Sequence, residues 1–177
     1  PAGKVRIPHD AKSRNGGVMY TDYALGRFFA EASKQPWFAN TIFLITADHC
    51  ASSAGRTEIP LEKYHIPALI YAPGFVEPQH VGGIVSQIDL MPTLLSLLNT
   101  SYDSHFYGRS IFDPAYVNRA FIATYQDLGY LEGDTFTILS PVRRFEQYRV
   151  VPTEENPHHL EAMERKDAVQ VDRAIGY

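Results

Sequence analysis

The sequence predicts an α/β fold with a small antiparallel annex toward its C-terminal end. Three observations carry that reading. Two apolar runs, residues 41–47 and 68–72, show no alternation and are rich in branched aliphatic residues. Strands buried on both faces of a helix-covered parallel sheet look like this. Each run lies beside a segment of helical character, residues 17–33 before the first and 90–98 after the second. Beyond residue 118, three shorter strand signals are separated by glycine turns, the mark of antiparallel connections.

Taken in order, residues 1–14 form an extended basic lead-in, broken by Pro1, Gly3 and Pro8. In the first helix Tyr20, Ala24 and Phe28 recur four apart, as do Leu25 and Phe29, giving one apolar stripe. Ser13 or Asn15 caps its start. Pro36 ends it by pushing Gln35 out of the helical region, and Trp37-Phe38 then plug the helix end. Residues 48–66 make a polar connection, long enough to suggest function. Asp89 is the expected N-cap of the second helix, with Pro92 in its first turn, where a missing N–H does little harm. Residues 100–118 read as loop. Strands are expected at 120–125, 135–139 and 147–151, with turns at Gly129 and Gly133-Asp134. The charged residues from Pro152 onward are either a solvated helix or disordered. The domain division is 1–112 for the α/β part, 113–151 for the annex and 152–177 for the tail.

Composition bounds the function. The chain has 177 residues, 45% hydrophobic and 20% charged, with a formal charge of −4. These values suit a globular chain with a real core. With no basic stripe, nucleic acid is not an expected partner. No apolar run approaches the roughly 20 residues that span a bilayer, and no signal peptide is visible. One cysteine, Cys50, excludes an internal disulfide and reads as a small thiol for want of a base to activate it.

The chemistry gathers at Thr46-Ala47-Asp48-His49-Cys50. A buried strand ends and releases a carboxylate and an imidazole side by side, at the strand edge where α/β sites lie. Oxygen plus nitrogen suits Mn²⁺ or Zn²⁺ better than Ca²⁺. The plainer alternative is a turn-capping Asp48 and an exposed loop histidine. The small-residue loop from Ala51 to Arg56, with Ser53 within it, can wrap an anion through its N–H groups, Arg56 acting as a charged clamp. His65, just before the second strand, can hydrogen-bond a phosphoryl oxygen or protonate a leaving group, or simply pack at the strand entry. His9 can approach an anion. His80 and His105 have no partner in view, and His158 and His159 are read as solvated.

Four ordered segments, Tyr20–Phe29, Trp37–Thr41 with Ala47-Asp48-His49, Tyr64–Gly74 and Ser86–Leu95, resemble the second half of the sulfatase-like branch of the alkaline phosphatase superfamily. In particular they resemble lipoteichoic acid synthase-type phosphoglycerol transferases. The resemblance implies the second half of an alkaline phosphatase-like α/β/α sandwich and one divalent ion, most often Mn²⁺, with Zn²⁺ or Mg²⁺ as alternatives. Asp48-His49 matches the family's Asp-His metal pair. His65 matches, more loosely, a phosphate-contacting histidine of related phosphoethanolamine transferases. The threonine nucleophile and a further acidic ligand belong to a first half that this sequence lacks.

The chain, opening at Pro1, is therefore read as the C-terminal piece of a membrane-anchored enzyme on the outer face of the cytoplasmic membrane. Its expected partners are the missing half, a phospholipid or glycerol-phosphate substrate, and a second copy through the exposed cut edge. Alone, it is expected to be inactive. Two other readings stand beside this one: part of a sulfuric ester hydrolase, and a non-catalytic module that completes a fold.

Overall fold

The computed structural model describes residues 14–50 and 59–177. The chain divides into two compact units, residues 1–46 with 68–78, and residues 47–67 with 79–177.

In the smaller unit, α1 (Arg14–Ala32) takes in the residues before the expected start at Gly17, back to the first described one. It closes with Ser33 N donating to Phe29 O at 2.9 Å. β1 (Phe43–Thr46) and β2 (Ala68–Tyr71) form a two-stranded ribbon. Aromatic rings hold helix to ribbon. Phe29 meets Phe43 and Tyr71 edge-on, with centroids 5.1 and 5.5 Å apart. The expected plug at the helix end is present, Trp37 and Phe38 lying 6.4 and 5.4 Å from Phe43.

The strand direction corrects the sequence reading. β1 and β2 are antiparallel, Phe43 opposite Tyr71 and Thr46 opposite Ala68. Neither is buried on both faces, and Leu69 is 57% exposed. An apolar run without alternation reports hydrophobic surroundings but not the direction of its neighbour.

In the larger unit, a 3₁₀ turn (Gln87–Asp89) leads into α2 (Leu90–Leu97). Asp89 occupies the expected N-cap position of α2, but its side chain makes no capping hydrogen bond there. It closes a capping box by accepting from Ser86 N at 3.1 Å, and the rest of its carboxylate is taken by Arg119.

A five-stranded antiparallel meander follows: β3 (Arg119–Ala123), β4 (Leu128–Glu132), β5 (Thr135–Ser140), β6 (Arg144–Val150) and β7 (Leu160–Ala162). The annex thus holds five strands where three were expected. Gly129 is not a turn but the middle of β4, where the ring of Phe136 would lie 2.7 Å from any added Cβ. The Gly133-Asp134 turn is present, with Gly133 at φ +60°, a conformation glycine adopts freely.

The terminal residues are not disordered: the helical alternative holds, although one face of the helix is buried rather than solvated. Besides β7 they form α3 (Ala168–Gly176), capped by Asp167, whose side chain accepts from Gln170 N. Gln170 and Val171 are buried. Thr137 donates to Gln170 Oε1 at 3.2 Å, and Gln147 Nε2 donates to Thr137 Oγ1 at 2.9 Å. Such a satisfied buried network fixes the seating of a helix more sharply than apolar contact alone. The core beneath is Ile59, Leu61, Ile122, Leu131 and Phe136. Among the described residues no helix is long and apolar enough to cross a membrane.

Candidate functional site

Asp48 and His49 lie two and three residues beyond the end of β1 and open the larger unit. Ala47 N donates to Pro67 O at 3.4 Å, so the turn leaving β1 stays joined to the segment entering β2. Both side chains face solvent, His49 71% and Asp48 87% exposed. The backbone N–H of His49 donates to Asp48 Oδ1 at 2.9 Å. That contact turns the other carboxylate oxygen toward the imidazole, Oδ2 lying 3.4 Å from His49 Nε2.

His49 Nδ1 is 2.8 Å from Cys50 O. A carbonyl oxygen can only accept, so Nδ1 carries a proton and Nε2 is the nitrogen left to meet a ligand. A backbone carbonyl that sets the imidazole tautomer in this way is a recurrent support of metal-binding histidines. One carboxylate oxygen and one imidazole nitrogen thus face the same open space, a residue pair of the kind that suits a divalent ion. Among the described residues, no group of three or more His, Cys, Asp or Glu is placed to hold an ion. The pair therefore fits about half of a closed coordination shell.

His65 is exposed and belongs to the same unit. Burial raises the pKa of the preceding Tyr64, and the Cys50 thiol nearby adds to that. His158, read from the sequence as solvated, instead stands edge-on to His65, with ring centroids 5.6 Å apart and planes at 86°. It is held there by an Asn156 turn, His158 N donating to Asn156 Oδ1 at 2.8 Å. Ser53 and Arg56, the expected anion-binding pair, and His9 lie outside the described residues.

Gln87 is a site residue that sequence reasoning passed over. Its side-chain amide donates to Ala47 O at 3.2 Å and to Asp48 O at 3.4 Å. Its only trace in the sequence is membership of the Ser86–Leu95 segment.

Residues 4–100 match the family model described as Sulfatase. The chain belongs to the sulfatase family. Two curated sulfatase-family relatives are Arylsulfatase K of Canis lupus familiaris, 28% identical over 96 residues, and Arylsulfatase K of Gallus gallus, 27% identical over 96 residues. Each match covers 51% of this chain and 18% of the relative. A solved structure, a protein in the alkaline phosphatase superfamily from Vibrio parahaemolyticus, superposes with a TM-score of 0.87 at 32% identity. It covers 98% of this chain and 42% of its own. The chain thus spans less than half the length of the relatives it matches. The expected fold class holds: the chain has the mixed α/β fold of part of an alkaline phosphatase superfamily domain. Sulfatase-family relatives place it in a superfamily of enzymes, generally metal-dependent ones.

Proposed function

We propose that this chain supplies part of the metal site of an enzyme that cleaves or transfers tetrahedral oxyanion esters, and that the whole enzyme is a phosphoglycerol transferase of the cell envelope. The observation that carries the reading is the Asp48–His49 pair, whose Oδ2 and Nε2 lie 3.4 Å apart and face solvent. A divalent ion held there, Mn²⁺ by preference, supplies Lewis-acid polarisation of an ester oxygen. Asp48 would contribute charge and His49 would bind through Nε2, its Nδ1 being engaged with Cys50 O. His65, exposed beside His158, contacts a non-bridging oxygen or delivers a proton to the leaving group. Ser53 and Arg56 supply further anion contacts.

The nucleophile comes from the remainder of the domain, which also covers the apolar surface of the smaller unit. Leu69 and Phe75, each 57% exposed there, suit a partner of that kind. The complete enzyme is anchored outside the cytoplasmic membrane and uses glycerol-phosphate lipid.

A second reading, a sulfuric ester hydrolase, is favoured by the Arylsulfatase K matches. Turnover by the full-length protein with Mn²⁺ separates the two. Release of glycerol phosphate from a phosphatidylglycerol donor is expected, with little hydrolysis of an aryl sulfate; the reverse preference establishes the second reading. Asp48→Ala is expected to abolish turnover, and His65→Ala to lower kcat roughly 10²-fold. An Asp48→Ala enzyme as active as the parent would place the reaction elsewhere.

A further inference from the structure

We propose that Gln87 is a positioning residue for the Asp48–His49 pair, holding the backbone that carries the two donor side chains. The inference rests on the metal reading of that pair. Gln87 Nε2 donates to Ala47 O at 3.2 Å and to Asp48 O at 3.4 Å. Both acceptors are carbonyl oxygens, so the NH₂ end of the amide must face the turn. These two peptide oxygens lie on either side of the Asp48 Cα, and the grip therefore brackets the ligating residue itself. It leaves the Asp48 carboxylate free to accept from His49 N at 2.9 Å and to turn Oδ2 outward.

Gln87 is a firm base for this grip although its own side chain is exposed. Its neighbours Ser86 and Asp89 are 6% and 0% exposed, joined in a capping box. Asp89 is in turn bound by Arg119 through Nη1 at 2.9 Å and Nη2 at 3.2 Å. Hydrogen bonds and the short run of chain from Ser86 to Asp89 thus link β3 to the Asp48 peptide. Two exposed side chains on a free turn would lose conformational freedom on ligating an ion, and a turn already clamped by Gln87 has less to lose.

The test uses Mn²⁺ alone, titrated against the full-length protein while paramagnetic broadening of the His49 ring resonances is followed. Gln87→Met keeps the length and removes both N–H groups. It is expected to raise the Kd about tenfold, as loss of an outer-shell partner does, with the melting temperature unmoved. Gln87→Glu serves as a second variant. It cannot donate, yet its added negative charge attracts the cation, so weaker binding by this variant speaks directly for the lost donors.

Asp48→Ala separates the two layers of the argument. If it leaves the broadening unchanged, or if the full-length parent shows none at millimolar Mn²⁺, the metal reading falls and the inference with it. If Asp48→Ala abolishes the broadening while both Gln87 variants bind as the parent does, the positioning role is overturned and the metal reading stands. Loss of affinity in step with loss of folded protein would assign Gln87 to stability alone.

Discussion

Asp89 is fully buried, and its carboxylate is completely engaged. Oδ1 accepts from Arg109 N at 2.9 Å and Arg119 Nη2 at 3.2 Å. Oδ2 accepts from Ser86 N at 3.1 Å, the Tyr116 hydroxyl at 3.0 Å and Arg119 Nη1 at 2.9 Å. Burial, then the Asp89 charge, drives the Tyr116 pKa well above its ordinary value, keeping the phenol a neutral donor. Burial alone would lower the Arg119 pKa, but the hydrogen bonds to Asp89 and Tyr177 outweigh it and the guanidinium stays charged. The rings of Phe121 and Tyr177 stand 5.3 and 5.4 Å from it. Removing one partner of such a pair strands the other charge in the interior. Asp89→Ala is therefore expected to cost about 3–5 kcal/mol in urea denaturation. Asp89→Leu combined with Arg119→Met should cost clearly less than the sum of the single changes. A cost below about 1 kcal/mol for Asp89→Ala, the range of exposed pairs, would show that the network contributes little.

At the scale of elements, the approach of the 100–118 loop to the turn before α2 is set by a missing side chain. A Cβ on Gly108 would lie 2.0 Å from Ile88 O and 2.5 Å from its carbonyl carbon. Both are backbone atoms, which cannot swing aside. Gly108→Ala must push the loop off the turn and carry Arg109 N away from Asp89 Oδ1. A loss of about 2–3 kcal/mol is expected, the upper part of the overpacking range. The check is a urea titration of the alanine variant beside Arg109→Ala, which keeps the backbone donor and should be near neutral. A Gly108→Ala chain as stable as the parent would mean that the loop can move without cost.

Across the whole molecule, stability at high pH follows from the tyrosines. Tyr148 is pushed up to about 12, first by its hydrogen bond to Glu146 and then by burial. Burial, then Glu132, raises Tyr130 further, and Tyr116 is raised as described above. An unfolded phenol has a pKa of about 10. Folded values above the unfolded one mean that the stabilisation is fully present below about pH 10 and is lost as pH rises through the folded values. Stability is thus expected to be insensitive to these groups at neutral pH and to fall progressively above pH 10. Phenolate absorbance followed with denaturant midpoints checks this, and Tyr148→Phe should make the first part of the decline shallower. A flat profile through pH 12 would remove these tyrosines from the account.

What the sequence by itself determined was local. The run of α1, the apolar character of β1 and β2, the Gly133-Asp134 turn and the adjacency of Asp48 to His49 are all written in neighbouring residues. Periodicity, turn chemistry and dipeptides act over a few positions. The tertiary structure alone decided the antiparallel sense of β1 and β2, which depends on which strand lies alongside. It also seated α3 on a buried Gln170, in a segment whose charged composition had suggested solvent. The same holds for the site. Gln87 reaches back 40 and 39 positions to Ala47 and Asp48. Asp89 meets Arg119 across 30, and His158 comes to rest against His65 from the far end of the chain. A hydrogen bond or ring contact between distant residues leaves no periodic trace in the chain. It exists only once the intervening strands have paired and brought the two ends of the contact together.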